Sequence, residues 1–380
     1  MSNNLATEMN TILGHGLESF MGTLTMPAAV FTDLSAELAK PGQVISFNEP
    51  RPVGTKAITP SNTQPAPVDV TTAARTLTLN QHRGSNPFGI THKEKLEIRE
   101  AGAVMINAQL GQGAVDLAEE MNLYLHNLYP YAYNVAGTAG TTPFASSVVG
   151  ATNSIKRLVE AKAQIRRGQM FGVLDPSAAA NFKALSEFAD ADKVGTNELK
   201  IAGIMGERYG VRWLEDQAVV YHTAGVPGGT PLVNGALAAG VSSVAIDGGG
   251  ASGTYKRGDI VTFAGHTQTY SVQADVTLNG SGVGTLTISP ALKSAVADNA
   301  AITLTASHHV NLVFNRRAIY LAQRSLGNPD PQRFAEITDQ KTGTSLRLEK
   351  MNQYKQEAYE YDLLYGAAMI YPEYIVRLLG

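Results

Sequence analysis

The chain has 380 residues, enough for two or three domains that each bury a core. Its net charge of −3 and 17% charged residues give no overall attraction to nucleic acid, and the lack of cysteine excludes disulfides, thiolate metal sites and thiol nucleophiles. No apolar run approaches the ~20 residues that span a bilayer, and the first ten residues lack the basic start and apolar core of a signal peptide. The chain is therefore expected to be made and used without passing through an oxidising compartment.

Residues 1–42 are mixed in character and end at the turn signal Pro41-Gly42. In residues 43–91, Val44–Phe47 and Ala74–Leu79 read as strands, with Leu77 and Leu79 on one face. Between them lie Pro50, Pro52, Pro60, Pro65 and Pro67 and few large apolar residues, so this piece has no core of its own. It reads as a long two-stranded arm, marginally stable until something covers it.

From Thr91 to about Leu128 the pattern is helical. Lys93, Glu94, Lys95, Glu97, Arg99 and Glu100 come first, and Leu96, Val104, Met105, Ala108, Val115, Leu117 and Met121 then recur at helical spacing. Early glutamates suit the positive end of the helix dipole. Unbroken, the helix would be roughly 50 Å long, with Gly111 and Gly113 as places for a bend. A second helix is expected over 154–167, ended by Gly168. Met170–Leu174 reads as a short buried strand. Asp175-Pro176 then opens another helix, with Asp as N-cap, Pro at the first helical position, and Phe182, Leu185 and Phe188 on one side. Mixed α/β texture continues through Tyr209–Asp216.

At Thr223 the texture shifts. Residues 223–309 contain no glutamate and only seven Asp, Lys or Arg: Asp247, Lys256, Arg257, Asp259, Asp275, Lys293 and Asp298. Alternation in Thr269–Leu278 puts Tyr270, Val272, Ala274, Val276 and Leu278 on one face. Asn279-Gly280 is a hairpin turn signal, flanked by further apolar pairs at Val244 and Ile246, Leu286 and Ile288, and Ile302 and Leu304. The segment reads as a small antiparallel β barrel or sandwich inserted into an α/β host. The host is expected to resume with a helix over Asn315–Arg324 and to close with strand-like segments around 344–350 and 355–378.

Catalytic constellations are thin. Gly111-Gln-Gly-Ala-Val-Asp116 is a truncated dinucleotide fingerprint, but it lies inside a helix, where packing explains the glycines better. No P-loop, nucleophile elbow or H-E-x-x-H occurs. His308-His309 would point to opposite faces of a strand, so a pair at a domain junction is a better reading than a metal site. Glu119 and Glu120 diverge by about 100° around a helix, which favours a solvated face over paired catalysis. Tyr124, Tyr129, Tyr131 and Tyr133 have only His126 and no Lys or Arg among them, so core or interface packing outweighs base stacking. Arg257-Gly258-Asp259 matches a tripeptide of cell-adhesion ligands, but it is too short to be specific. Gly258 fits a turn, Asp259 the opening of a strand, and Val261 and Phe263 one face of it. No enzyme activity, cofactor or metal is expected.

Several segments together resemble one family. The Pro-interrupted hairpin followed by a long helix resembles the extended loop and spine helix of tailed-bacteriophage major capsid proteins, an α+β architecture called the HK-ninety-seven-like fold. Tyr209–Ala218 is similar to the strand and turn before the capsomer-centre loops of those coats. Val313–Leu326 resembles their returning helix, and Tyr359–Leu378 their closing strands. Lys256–Gly265, inside an inserted β domain, resembles the P-twenty-two type coat proteins. The insertion is short, and the equivalent of that family's inter-capsomer loop, around 247–254, is mostly Gly and Ser.

The resemblance implies an N-terminal arm at 1–42, an extended β-hairpin loop at 43–91, and a spine helix with peripheral domain at 92–195. It implies a first axial part at 196–222, an inserted β-barrel domain at 223–309, and a returning axial and peripheral part at 310–380. It further implies hexamers and pentamers in an icosahedral head, assembled in a host bacterial cytoplasm and enclosing phage DNA without specific binding. A separate scaffolding protein and a portal protein would be partners, with no membrane. Arg51, Lys56, Arg75, Arg83, Asp247, Lys256 and Arg257 are the candidate assembly contacts. The rivals are an encapsulin-like nanocompartment shell and, from another class, a β-rich enzyme or glycan-binding module.

Overall fold

The computed structural model describes residues 5–32, 44–49, 58, 60, 73–97, 101–161, 163, 169–189, 203, 205–330, 333–338 and 343–380. It opens with helix α1 (Leu5–Thr23) and the short α2 (Met26–Ala29). The sequence alone shows only a mixed segment here, and Gly14, Gly16 and Gly22 lower its helix propensity. Packing overrides propensity: Ile12, Leu13 and Phe20 are buried, and a Cβ on Gly16 would collide with the Tyr361 ring. Buried Asn122 holds the turn between α1 and α2, accepting from Thr25 N (3.3 Å) and Met26 N (3.2 Å) and donating to Thr23 O (3.0 Å).

Strands β1 (Val44–Glu49) and β2 (Ala73–Thr78) pair antiparallel, Ile45 opposite Leu77. The ribbon rests on the body through Leu77 and Leu79, which pack with Ala322. Strands β3 (Gln81–Gly84) and β4 (Phe88–Thr91) follow. A reciprocal capping box then starts α3 (His92–Glu97): Thr91 N donates to Glu94 Oε2 (2.9 Å) and Glu94 N to Thr91 Oγ1 (3.2 Å). The bond from the Thr91 amide is the main reason the Glu94 carboxyl lies below its ordinary range. The long helix α4 (Ala101–His126) buries Leu110, Ala114, Leu117, Ala118, Met121 and Leu125, whereas Ala108, expected on that face, is exposed.

The middle of the chain gives β5 (Asn134–Gly137), α5 (Val149–Glu160), β6 (Met170–Leu174), α6 (Pro176–Ala184), α7 (Ser186–Ala189), β7 (Glu207–Arg208), β8 (Val211–Glu215) and β9 (Tyr221–His222). Helix α5 begins five residues earlier than expected and ends at Glu160, while Gly168 lies outside the described residues. Asp175 caps α6 as expected, accepting from Ser177 N (3.0 Å) and Ala178 N (3.3 Å).

The inserted unit contains β10 (Leu232–Val233), β11 (Ser243–Asp247), β12 (Thr254–Tyr255), β13 (Ile260–Phe263), β14 (Tyr270–Val272), β15 (Val276–Thr277), β16 (Gly284–Ser289) and β17 (Ile302–Leu304). Six of these form one antiparallel sheet in the order β10-β11-β16-β14-β13-β17. An antiparallel bridge between Leu232 and Ala301, with Val233 N bonded to Ala300 O (3.0 Å), brings the first strand back to the last. Its core, from Val233 to Ile302, draws on no host residue among the described ones. The expected single strand Thr269–Leu278 is two strands instead. Arg257 N donates to Asp275 Oδ1 (2.6 Å), β15 pairs with β12, and Ala274 is exposed rather than inward.

The host resumes with β18 (His308–Asn315), β19 (Ile319–Arg324), β20 (Phe334–Thr338), β21 (Ser345–Gln353), β22 (Gln356–Met369) and β23 (Ile375–Leu379). The helix expected over Asn315–Arg324 does not form. Asn315 Oδ1 accepts from Arg317 N (3.0 Å) and closes a single 3₁₀ turn at Arg316–Ala318, after which β19 pairs residue by residue with β22. Ile319 and Leu321 go inward, and sheet pairing outweighs the helix propensity of Leu, Ala, Gln and Arg.

Among the described residues the host has two large sheets besides the β1–β2 ribbon. One runs β19-β22-β21-β20, with β3 and β4 also on β22, and packs against α1 and α4. The other runs β5-β23-β18-β6-β8-β7 and packs against α5 and α6. Strand β18 is covered on both faces: Val310, Leu312 and Phe314 enter the first core and Val313 the second.

Candidate functional site: the seam between host and insertion

The insertion leaves the host after β9 and returns at the start of β18, and these two strands pair, His308 opposite His222 and His309 opposite Tyr221. The ends of the inserted unit therefore meet in a two-stranded stalk. His308-His309 lies at this junction, with the His308 side chain buried. Among the described residues no group of side chains could hold a metal ion.

Polar residues that the sequence reading placed in a turn, a strand and an apolar run converge beside the stalk. Asp259 is 0% exposed; its carboxylate meets His222 Nε2 (2.7 Å) and accepts from Lys256 N (2.7 Å) and Gly225 N (3.2 Å). His222 Nδ1 lies 2.9 Å from the Tyr129 hydroxyl. Arg377, also 0% exposed, stacks 5.0 Å over the Tyr129 ring and donates to Gly258 O (2.6 Å) and Ser271 Oγ (3.2 Å). Ser271 Oγ and Gln273 Nε2 both donate to Pro130 O, at 2.5 and 3.0 Å, and Thr269 Oγ1 donates to Tyr133 O (2.5 Å). The segment Tyr129–Tyr133 is thus held by the insertion along its length.

Burial sets the electrostatics of this seam. It pushes the His308 imidazole down to about 4, with the Ala306 hydrogen bond opposing and Arg377 and His222 adding to the shift. It lowers the Arg377 guanidinium, against the pull of Tyr129 and Asp259. It raises the Tyr129 phenol, and takes that of Tyr255 up to about 12. A buried, largely satisfied network of this kind fixes orientation.

The Arg-Gly-Asp triplet is explained by the same geometry. Gly258 has φ +96, and a Cβ there would lie 2.8 Å from the Tyr129 ring, so glycine is required twice over. With Asp259 enclosed, the triplet is not displayed as an adhesion ligand. Gly113 serves packing in α4, its missing Cβ making room for Ser85 at 3.3 Å.

The expected assembly contacts that fall among the described residues lie on several elements. Arg51 and Lys56 lie outside the described residues. Arg75 is exposed on the β1–β2 ribbon, and Arg83 on β3 pairs with Glu120 at 3.1 Å. Asp247 is half-buried at the end of β11. Lys256 and Arg257 are exposed in the turn before β13, Arg257 lying 5.2 Å over the Tyr131 ring. The Gly- and Ser-rich stretch 247–254 is tied down by Thr230 N to Gly248 O (2.8 Å), Gly250 N to Pro227 O (2.8 Å) and Gly249 N to Gly282 O (3.2 Å).

Two clefts flank these features. A polar groove of about 1110 Å³ runs along the seam, with Lys156, Arg157 and Lys293 among its lining residues. An acidic cleft of about 670 Å³ is lined by Asp116, Glu119, Glu120, Glu215 and Asp216. Glu119 and Glu120 share that cleft, although Glu120 is paired with Arg83.

Sequence reasoning missed Arg377, Asp259, Ser271 and His222 as partners. Arg377 carried a readable signal, a lone charge in the apolar run Ile375-Val-Arg-Leu-Leu379.

No family model matches the sequence, and no curated protein matches it. Among solved structures the chain is similar to one of Mycobacterium phage Che8, with TM-score 0.49 and 11% identity over 93% of this chain and 90% of that chain. It is similar to the mature capsid of bacteriophage PhiM1, with TM-score 0.48 and 9% identity over 92% and 86%. It is also similar to a virus-like particle from Pyrococcus furiosus, with TM-score 0.43 and 7% identity over 97% of each chain.

Proposed function

We propose that the chain is a shell-forming major capsid protein, built on the HK-ninety-seven-like plan with an inserted β barrel, that encloses double-stranded DNA in a phage head. The observation that carries this reading is the β1–β2 ribbon. Of the ribbon residues whose side chains are described (44, 45 and 75–78), only Leu77 is buried, with Leu79 just beyond the end, and Val44 and, in the segment between the strands, Ile58 stand 49% and 92% exposed. Such a ribbon gains stability by lying across a neighbouring copy, where it covers or extends a sheet edge. Repeated head-to-tail contact of one kind closes rings. The long α4 behind a hairpin sheet, a second sheet, and an insertion entering between β9 and β18 support the same plan. A separate scaffolding protein and a portal are part of the proposal, as are the domain limits implied by the sequence resemblance.

The test is electron microscopy and sedimentation of the full chain, expressed alone and with a candidate scaffolding protein. Closed shells tens of nanometres across are expected, uniform only with the scaffold. A chain that stays monomeric at high concentration with its cognate scaffold would overturn the reading. A shell that encloses a cargo enzyme and no DNA would favour the nanocompartment.

A further inference from the structure

The stalk through which the insertion joins the host has two histidines facing each other. The His222 and His308 rings are 5.4 Å apart, directly across the β9–β18 pair. They are not equivalent. His222 has both ring nitrogens engaged, with Tyr129 and Asp259. His308 Nδ1 meets Ala306 O at 2.8 Å, which makes it the protonated nitrogen, and Nε2 is buried without a hydrogen-bond partner. A proton on Nε2 would therefore create a buried N–H with no acceptor and a second cation near Arg377, while Asp259 is already committed to His222, Gly225 and Lys256. Both penalties vanish if the seam opens to water.

The other titratable groups around the seam do not offset this. From the host come Tyr129, Tyr131, Tyr221, His309 and Arg377; from the insertion come Tyr255, Lys256, Arg257 and Asp275. Asp275 accepts from the Arg257 backbone, and His309 lies on the opposite face, against Tyr221 at 4.9 Å.

We propose that the His222–His308 stalk is an acid-released hinge, which keeps the insertion docked on Tyr129–Tyr133 at neutral pH and frees it when His308 takes up a proton. The inserted core is self-contained, so the unit can swing without unfolding. Opening breaks the contacts that cross the seam: Arg377 to Gly258 and Ser271, Ser271 and Gln273 to Pro130, Thr269 to Tyr133, His222 to Asp259, and Arg257 over the Tyr131 ring.

The absence of cysteine permits a direct test on the full chain. Spin labels on Thr287→Cys in the insertion and Asn153→Cys on α5, both exposed positions, report the distance between the two units. A single narrow distribution is expected near neutral pH, and a second, longer one is expected to grow in as the pH falls toward about 4–5. His308→Asn keeps a donor for Ala306 O and cannot be protonated, so its transition should move to lower pH, whereas His266→Asn should leave it in place. Histidine-selective NMR gives a readout without a substitution at the stalk: His308 should stay neutral while the short distance persists and protonate as it is lost. A distance that never changes between pH 7.5 and 4 would overturn the proposal. So would a transition unmoved in His308→Asn, which would assign the effect to Asp259, or a His308 that protonates with the seam still closed.

Discussion

At the scale of single residues, the seam joins several buried polar side chains in one network. Arg377→Met keeps much of the volume but removes the donors to Gly258 O and Ser271 Oγ. The buried Gly258 carbonyl left behind makes a loss of about 1–3 kcal/mol the expected result, read as a lower urea midpoint at unchanged slope. An unchanged midpoint would mean the network contributes nothing net. Arg257→Ala, one position from the turn glycine, is exposed and should stay within about 0.5 kcal/mol of the parent. Tyr270→Asp is the opposite case. Tyr270 is 0% exposed inside the inserted core, and a carboxylate there would be buried without a cation, so loss of the folded insertion is expected by circular dichroism.

These residues also mark where the sequence was legible and where it was not. Met170–Leu174 and the Asp175-Pro176 cap could be read because their signals are local: an apolar run and an N-cap side chain. Asp259 reads only as the opening of a strand, because nothing local announces that Tyr129, His222 and Arg377 arrive from 130, 37 and 118 positions away, as their numbers give. Ser271, placed outward by strict alternation, is buried because the outward face of β14 meets Pro130. Long-range partners decide burial here, and a period of two cannot see them.

At the scale of elements, the clearest expectation is autonomy of the insertion. A fragment spanning 223–309 should give a dispersed proton–nitrogen NMR spectrum, since its hydrophobic core lies wholly within it. Its Asp259, Ser271 and Gln273 would be hydrated in place of their seam bonds, at modest cost. A collapsed spectrum would show dependence on the host. The ribbon makes the complementary case. On the proposed shell-forming role, deleting residues 50–67 should leave a folded monomer that no longer builds correct shells, and loss of soluble folded protein would show that the segment packs on its own subunit. The helix expected at Asn315–Arg324 failed at this scale. Its residues favour a helix in isolation, but β22 offers a fully paired edge, and a complete ladder of backbone bonds wins.

At the scale of the whole molecule, acid stability has a definite sign. Burial pushes the His308 imidazole from an ordinary 6.5 down to about 4 in the fold, so the unfolded or opened chain takes the proton first. The stabilisation from keeping it neutral is complete above about pH 6.5 and is lost as the pH falls toward 4. Thermal melts between pH 8 and 4 should therefore drop on the acid side of 6.5, and His308→Asn should flatten part of that drop. A flat profile in the parent chain would contradict the assignment.

The position of β18 bears on how the chain is made. It sits at the middle of the second sheet, bonded to β6 and β23, yet more than four-fifths of the residues precede it in synthesis. While a ribosome is still translating the segment before Val310, β6 has β8 on one side but lacks β18 on the other, and the sheet that α1 and α4 cover has not yet been made. The inserted unit, whose strands all lie before Ala306, is already complete at that point. Folding during translation should then run from the inside of the sequence outward, with the insertion first and the host last. Long-range pairing delays closure, and an unfinished host exposes apolar surface in the interval. Nascent chains stalled just after residue 309 clears the exit tunnel should resist protease within the insertion and be cut readily on either side of it.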